Sequence, residues 1–399
     1  MEIKTTVPLH VHTEKSLLDS ILRVDELVNF AKENNLPAVA CTEHGNMDSF
    51  VELVKACNKA EIKPIIGSEI YEVEGYDDEG RKTRYHLVLL AKNRKGFENL
   101  SQIITRANEH LYYKPIITID EIKSNNWGEG LICLTACMAG RLHRGLSQGL
   151  DMTGYIDKLK DTFDNVFGEI QSHKNDGQLQ MNLLIEKFCK SNNLPIVCTT
   201  DAHMLDKDDL FAHGIFIQVN QKDRDVGEIY NGCYLQTGQE TFDILKGIVG
   251  KSTYIQAVEN TYKIADLVEH YSIGLDNDNQ MPVIETPKGF KDNQDFFRSY
   301  VQDGLKKKVK RYNLEWQEYK ERMEKEIYVL EKKDYVDYFL LLDKILKEAK
   351  SRKIPLGPGR GSAGACICGW ALDIHKLDSI KWDLDFSRFA NLGREALAD

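Results

Sequence analysis

The feature that most constrains the fold is an alternation of short apolar runs with longer amphipathic ones over the first 200 residues. The short runs span residues 7–12, 38–42, 64–71, 85–91, 131–136, 166–171 and 196–200. Helical patterns lie between most of them, for example over residues 24–34, 49–61, 96–107 and 180–191. Because alternation of this kind favours parallel β/α units, we predict an α/β fold. Its sheet should be a barrel-like arrangement of about seven strands with helices outside.

A change of pattern near residue 276 predicts a domain boundary. Residues 276–289, DNDNQMPVIETPKG, contain two prolines and little helical periodicity. Helical patterns follow over residues 292–310, 314–331 and 338–352, and a glycine-rich loop then precedes a short apolar helix over 365–372. We predict a first domain over 1–275, a linker and helical segment over 276–350, and a third part over 351–399.

Composition restricts the class of protein. A hydrophobic share of 42% with 29% charged residues is typical of a folded chain, and no apolar run is long enough to cross a membrane. No secretion signal is visible at the N-terminus, so the nine cysteines, an odd and irregularly spaced set, are expected to be reduced thiols in the cytoplasm.

Charge differs between the two parts of the chain. Residues 1–280 contain 29 Lys and Arg against 42 Asp and Glu, whereas residues 281–399 contain 23 against 20. An acidic first part is suited to cations, and a mildly basic second part is suited to a polyanion.

Side chains that bind metals recur where the predicted strands begin or end. They are His10, His12, Glu43, His44, Glu69, His86, Cys137, Glu169, His173, Asp201 and His203. One His-x-His pair is more often ordinary surface or core, but strand ends of a β/α barrel meet at one rim, so the whole set favours a metal site. These side chains suit zinc, manganese or iron. Their number indicates a centre of two or three ions, for which hydrolysis of phosphoesters is the natural chemistry.

Several of these residues belong to longer motifs. The motifs are His10-Val-His12, Ser16-Leu-Leu-Asp19, Thr42-Glu-His-Gly-Asn46, Ile62-Lys-Pro-Ile-Ile-Gly67, Glu69 and Thr200-Asp-Ala-His203. Together they resemble a polymerase-and-histidinol-phosphatase (PHP) domain, in the form that opens the alpha subunit of bacterial replicative DNA polymerase III. Glu43 stands where an Asp is more usual in that family, and Ser20 where a Gly is usual.

The resemblance implies a set of metal ligands for two or three zinc or manganese ions. They are His10, His12, Asp19, His44, Glu69, His86, Cys137, Asp201 and His203. In the family this domain is a structural partner of the polymerase and, in some members, a metal-dependent 3′–5′ exonuclease. Since all nine residues can bind metal, the exonuclease interpretation stays open.

A second motif is the loop Gly357-Pro-Gly-Arg-Gly-Ser362. Glycines let backbone N–H groups approach an anion, and the start of a helix adds further donors. By composition alone, a tight turn before a helix is as good an interpretation as a phosphate cradle. The loop does not match the Walker pattern, because no Lys-Ser/Thr pair closes it.

Residues 354–362 also resemble the signature that begins the palm of the same alpha subunit, and residues 381–389 resemble its next signature. The resemblance implies that Gly361 and Ser362 lie beside the triphosphate of the incoming nucleotide and that Arg388 contacts it. Departures from the family occur at 364–366, 392–394 and Ala398.

The last residue, Asp399, falls where the family has its first catalytic aspartate. Nucleotidyl transfer by two Mg²⁺ ions needs at least a pair of carboxylates, and the second would lie beyond this residue. We therefore expect an N-terminal piece of a polymerase alpha subunit, with a truncated palm, that cannot extend DNA alone.

Two alternatives remain at this point: a stand-alone PHP phosphoesterase or exonuclease, and a catalytically silent PHP scaffold. The expected partners of the full protein are a DNA primer-template, dNTPs and the remaining polymerase domains, in the same or a separate chain. A sliding clamp and other replisome subunits are further expected partners, and no membrane is.

Overall fold

The computed structural model describes residues 3–220, 226–274 and 282–393. The chain divides into two compact units, Met1–Leu275 and Asp276–Asp399. The loop that predicted the boundary falls partly outside the described residues, and the further division of the second unit at residue 350 stays a prediction. Within the described part, no helix is both long and apolar enough to span a membrane.

The first unit is built around one sheet of seven strands. The strands are β1 (Ala38–Cys41), β2 (Lys63–Glu72), β3 (Tyr85–Ala91), β4 (Ile116–Ile117), β5 (Leu131–Leu134), β6 (Asn165–Gln171) and β7 (Ile196–Thr199). The helices of this unit are α1 (Val24–Glu33), α2 (Phe50–Ala60), α3 (Arg94–Glu109), α4 (Ile119–Ser124), α5 (Arg141–Ser147), α6 (Thr153–Lys160), α7 (Asp176–Ser191), α8 (Leu210–Asn220), α9 (Val226–Ile229), α10 (Gly238–Leu245) and α11 (Lys251–Leu267). Six of the seven predicted runs are strands, so the predicted α/β class is confirmed. The two-residue strand β4 was not predicted.

The sheet is mixed, whereas the sequence pattern predicted parallel units throughout. Strand order is β1-β2-β3-β5-β6-β7, with β4 beside β2, and β3 is antiparallel to both β2 and β5. The expectation was wrong at β3 because residues 73–84 contain no helix that could carry the chain back across the sheet for a parallel pairing. As a result, the first residues of β3 lie at the edge where β2 and β5 end.

The run 7–12 is not a regular strand, although it lies where a strand was expected. Ala40 N donates to Pro8 O and Thr42 N donates to Val11 O, each at 2.8 Å, and His12 N donates to Ala202 O at 2.9 Å. Pro8 has no N–H to contribute to a ladder, which explains why the pairing is irregular. The segment therefore connects the β1 side of the sheet to the residues that follow β7.

Alternate residues of each strand face different cores. On β3, Leu87 and Leu89 belong to the large cluster packed under the outer helices, whereas Val88 and Leu90 belong to an inner cluster that includes Ile264 of α11. Side chains two apart share a face, so His86 points to the same inner side as Val88 and Leu90. This alternation places His86 inside the rim formed by the strand ends.

The second unit is helical in its described part. Its helices are α12 (Asn293–Tyr312), α13 (Trp316–Lys332), α14 (Val336–Ser351) and α15 (Ile367–Ala371). Phe297, Leu305, Ile327 and Phe339 are fully buried or nearly so in one hydrophobic core between them. The predicted helices are confirmed, and α15 is shorter than the predicted run 365–372. The glycine-rich loop before α15 forms no regular element over residues 354–361.

Candidate metal centre

The nine residues that the resemblance singled out lie around one cavity at the carboxyl-end rim of the sheet. The cavity has a volume of about 900 Å³, and its lining includes Asp19, His44, His86, Cys137, Asp201 and His203. The other three, His10, His12 and Glu69, are almost wholly buried beneath it. They come from seven separate segments of the chain, since His10 and His12 share one segment and Asp201 and His203 share another, and the fold brings together residues up to 193 positions apart.

Glu69 on β2 lies at the middle of the cluster. Its Oε1 atom is 2.8 Å from His44 Nδ1 and 2.7 Å from His86 Nδ1, and its Oε2 atom is 2.9 Å from His10 Nε2. Cys137 Sγ lies 3.5 Å from His86 Nδ1. One carboxylate is thus within hydrogen-bonding distance of three imidazoles.

Asp19 stands on the opposite side of His44. Its Oδ2 atom is 2.7 Å from His44 Nε2 and 3.7 Å from His203 Nε2. Its Oδ1 atom accepts a hydrogen bond of 2.5 Å from the hydroxyl of Tyr230. The two ring nitrogens of His44 therefore face two different carboxylates, those of Glu69 and Asp19.

Asp201 and His12 approach each other to ion-pair distance without forming a well-aligned hydrogen bond. His12 Nε2 and Asp201 Oδ1 are 3.2 Å apart, and both are buried atoms without a hydrogen-bond partner among the described residues. Buried polar atoms are nearly always paired, so two orphaned ones side by side indicate a missing partner. A metal ion would satisfy both lone pairs.

Three groups of side chains place ligand atoms within 4.8 Å of one another around this cavity. They are His12, His44 and His203; His10, His12 and Asp201; and His44, Glu69 and His86. His12 and His44 each belong to two of these groups, so the three possible ion positions are next to one another. This arrangement could hold more than one ion.

The pKa values in the cluster reflect burial and opposing charges. Burial, helped by the neighbouring charges of His44 and His203, lowers the pKa of His12 to about 3, so this ring is neutral near pH 7 and has a lone pair available. Burial would raise the pKa of Glu69, yet the nearby charges of His86 and His44 hold it well below its usual range. Burial would lower the pKa of His44, but the carboxylates of Glu69 and Asp19 raise it to about 10. The carboxylates thus remain ionised, as metal ligands must be.

Two acidic residues that the strand-end pattern included do not face the cavity. Glu43 accepts hydrogen bonds from Ser16 Oγ at 2.5 Å and Thr13 N at 3.0 Å, so it holds the loop that follows His12. Glu169 lies behind the cluster, where its Oε1 atom is 2.7 Å from His10 Nδ1 and accepts from Thr199 Oγ1 at 2.5 Å. Such a partner fixes the orientation of a ligating histidine.

Three further residues complete the surroundings. His173 Nε2 lies 2.9 Å from Thr200 O and therefore donates to that carbonyl. Tyr230 and His213 both touch Asp19, the second through Nε2 at 2.6 Å from the Asp19 carbonyl oxygen. Sequence reasoning missed these two because they follow no strand, and nothing in their spacing links them to Asp19.

Basic side chains surround the same cavity. Its lining includes Lys82, Arg84, Lys114 and Arg144. Arg84 donates to the carbonyl of Tyr112 at 3.3 Å, and the ammonium of Lys114 lies 5.4 Å from the centre of the Tyr71 ring. None of the four forms a salt bridge with a described residue. In a unit whose sequence is acidic, these uncompensated cations make the cavity suitable for an anion.

In the second unit, the three residues predicted to bind nucleotide have different placements. Gly361 and Ser362 are exposed, and a 3₁₀ turn over Ser362–Ala365 packs against another over Phe386–Arg388. The fold thus brings the glycine-rich loop close to the turn that carries Arg388, which is also exposed. Asp399 lies outside the described residues.

A fourth potential metal group lies in the core of the second unit. It consists of Glu326, Cys366 and Cys368. Glu326 Oε2 already accepts from Cys366 Sγ at 3.2 Å and from Cys368 N at 3.1 Å, and Oε1 pairs with Arg322 at 2.6 Å. The group is therefore a satisfied buried carboxylate beside the start of α15.

Comparisons with known proteins agree with this arrangement. The PHP domain family matches residues 8–173, and the family described as the bacterial DNA polymerase III alpha NTPase domain matches residues 295–399. The match to a solved amidohydrolase from Chromobacterium violaceum covers 50% of this chain and 87% of the amidohydrolase chain, at 14% sequence identity and a TM-score of 0.34.

Curated relatives match almost the whole chain. The DNA polymerase III subunit alpha of Aquifex aeolicus is 31% identical over 99% of this chain and 36% of the relative. That of Treponema pallidum is 33% identical over 98% of this chain and 34% of the relative. The chain thus spans about a third of the length of these relatives. Over almost its whole length, the chain is similar to the N-terminal part of DNA polymerase III alpha subunits, with matches to their PHP domain and to their NTPase domain.

Proposed function

We propose that the first unit is a metal-dependent phosphoesterase that removes nucleotides from the 3′ end of DNA. The observation that supports this most strongly is the pair of orphaned buried atoms, His12 Nε2 and Asp201 Oδ1. In a silent scaffold each unpaired buried atom would cost about 1–3 kcal/mol, which the contact of 3.2 Å between the two atoms would offset only in part.

The donor set fits Zn²⁺ or Mn²⁺. Imidazoles and carboxylates suit both ions, and the thiol of Cys137 favours zinc. The ligands would be His10, His12, Asp19, His44, Glu69, His86, Cys137, Asp201 and His203, for two or three ions. Such ions, when bound, clamp phosphate oxygens and supply a hydroxide for in-line attack.

The residues around the ligands have separate tasks in this proposal. Arg84 and Lys114 bind phosphate oxygens at the wall of the cavity, because each lines it without a carboxylate partner among the described residues. Glu169 holds the ring of His10 through Nδ1, and Tyr230 holds the carboxylate of Asp19. Both therefore act as positioning residues.

For the whole protein we propose DNA-directed DNA synthesis in the cytoplasm, as part of a replisome. Gly361 and Ser362 would lie beside the triphosphate of a dNTP, Arg388 would contact it, and Asp399 would be the first Mg²⁺-binding carboxylate. The support is the family match over residues 295–399 and the packing of the two turns. The proposed partners are primer-template DNA, the remaining polymerase domains, a sliding clamp and other replisome subunits.

The phosphoesterase is tested on the chain stripped of metal and reloaded with Mn²⁺ or Zn²⁺. A single-stranded oligonucleotide labelled at its 5′ end should shorten stepwise from its 3′ end. Asp201→Asn should lower the rate about 100-fold or more, because it removes a charged ligand. Arg23→Gln, an exposed change at the start of α1, is the control and should keep the wild-type rate. Absence of hydrolysis by the loaded wild-type chain would contradict the proposal.

A further inference from the structure

A second cavity adjoins the candidate metal centre. Its volume is about 380 Å³, within the range of small-ligand sites, and its lining includes Tyr85, Arg144, Gly154 and Lys158. Arg144 lines both cavities. The two spaces therefore meet at one cationic side chain.

The start of β3 separates the two cavities. His86 lines the first cavity and Tyr85 lines the second, as expected of neighbours whose side chains leave a strand on opposite faces. The guanidinium carbon of Arg144 lies 5.5 Å from the centre of the Tyr85 ring. The ring therefore restricts Arg144 at the junction through a cation–π contact.

The charges around the second cavity are only partly compensated. Arg141 pairs with Glu72 at 3.0 Å and Glu74 at 2.8 Å, so its charge is used within the protein. Lys158 pairs with Asp120 at 2.8 Å, and Asp151 accepts from Thr153 N. Arg144 forms no salt bridge with a described residue. It is thus the cation available for an anion that passes from one cavity to the other.

We propose that the second cavity is a subsite for the nucleotide next to the scissile bond, with Arg144 contacting its phosphate. The site then selects the end of a polynucleotide over a small phosphoester, because only a polymer occupies both cavities. This inference rests on the proposed hydrolysis at the metal centre.

Two changes test the subsite independently. Arg144→Gln removes the cation, and Arg144→Lys keeps a positive charge. Gly154 lies in α6, and a Cβ added to it would have no other atom within 4 Å. Gly154→Gln and Gly154→Glu therefore fit the fold and extend into the cavity. The glutamate variant adds a negative charge that its matched glutamine control does not.

The measured quantity is the ratio of kcat/KM on a single-stranded DNA oligonucleotide to kcat/KM on bis(p-nitrophenyl) phosphate. Arg144→Gln and Gly154→Glu should each lower this ratio about tenfold, mainly through KM, because each weakens a charge-assisted phosphate contact. Arg144→Lys and Gly154→Gln should lower it less. A ratio within about twofold of wild type for both charge-changing variants would overturn the subsite.

Measuring DNA binding distinguishes an error in the proposed subsite from an error in the proposed hydrolysis. Fluorescence anisotropy with a labelled oligonucleotide should show that Arg144→Gln weakens binding about tenfold and that Arg23→Gln does not. If the wild type hydrolyses neither substrate but binds DNA through Arg144, the phosphoesterase is wrong, and the second cavity is a DNA-binding site without a scissile bond beside it. If it hydrolyses both and binding is independent of Arg144, the subsite is wrong and the phosphoesterase stands.

Discussion

His12 Nε2 and Asp201 Oδ1 lie 3.2 Å apart in the interior of the first unit, and neither atom makes a hydrogen bond with a described residue. The two residues lie at opposite ends of the strand order, one before β1 and the other after β7. The proposed cation, shared between the two atoms, would explain why the fold places them together. Ions bound here would link the segment of residues 7–12 to the residues that follow β7.

Removal of metal should therefore destabilise the first unit. EDTA should lower the Tm of its unfolding by several degrees, because an ion that binds only the folded state adds a few kcal/mol of stability. EDTA should lower the Tm of Asp201→Ala less than it lowers the Tm of the wild type, because this variant holds at least one ion fewer. Differential scanning calorimetry measures both, and a wild-type Tm that EDTA leaves unchanged would count against an occupied site.

Replacement of Gly45 should disturb the site through the backbone. Gly45 has φ +65°, and an added Cβ would lie 2.6 Å from Pro115 Cγ. Gly45→Ala should lower the free energy of unfolding by about 1–2 kcal/mol and weaken metal binding, because His44 is the preceding residue. Gly154→Ala, in a helix with open space around it, should instead raise that free energy by about 0.4–1 kcal/mol. Urea unfolding measures the free energy of both variants. Changes of the same sign in Gly45→Ala and Gly154→Ala would contradict this prediction.

Glu169 is expected to tune the metal affinity without binding metal itself. Glu169→Gln keeps the size of the side chain but weakens its hold on His10 Nδ1, so the metal Kd should rise about tenfold or more. The matched control is Glu186→Gln, since Glu186 is also buried but bonds Thr253 and Gly250 instead. Competition with a chromophoric chelator gives both affinities. Equal effects of the two variants would show that Glu169 acts on the fold alone.

The second unit should carry a pH dependence from Glu326. Burial raises the pKa of this carboxyl above its ordinary value near 4.5, although Arg322 and Cys368 N oppose the shift. Because the folded state keeps the proton to a higher pH than the unfolded state, stability falls as pH rises from 4.5 through the folded pKa. Glu326→Gln removes this dependence.

The measurement is the Tm difference between Glu326→Gln and wild type at several pH values. The difference, variant minus wild type, should increase as the pH rises above the ordinary value near 4.5. Arg352→Gln, an exposed change at the end of α14, should show no such trend. A difference that decreases with pH would mean that the folded pKa of Glu326 lies below its ordinary value.

Much of the site could be predicted from where residue types fall along the chain. His44, Cys137 and Asp201 each follow a strand, and the common edge of the sheet brings them together whatever the details of each loop. His86 was predicted to lie at this edge, but it does so for a different reason. It begins its strand, and it reaches the same edge only because β3 runs antiparallel to its neighbours.

Other features depend on contacts that no local pattern encodes. The segment around Pro8 is apolar enough for a strand. Its irregular hydrogen bonds, to β1 on one side and to Ala202 on the other, depend on how the whole sheet folds. Tyr230 bonds to Asp19 although the two residues are 211 positions apart in sequence. Glu43 points away from the cavity because it accepts hydrogen bonds from Ser16 and Thr13. These choices are made by tertiary packing.

The most direct test of the account is the number of metal ions that the chain holds. The purified protein is loaded with Mn²⁺ or Zn²⁺, passed through a desalting column and analysed by inductively coupled plasma mass spectrometry. We expect about two or three ions per chain in the wild type and in Arg23→Gln, and at least one fewer in Asp201→Ala. A wild-type chain that retains no more metal than Asp201→Ala would contradict it.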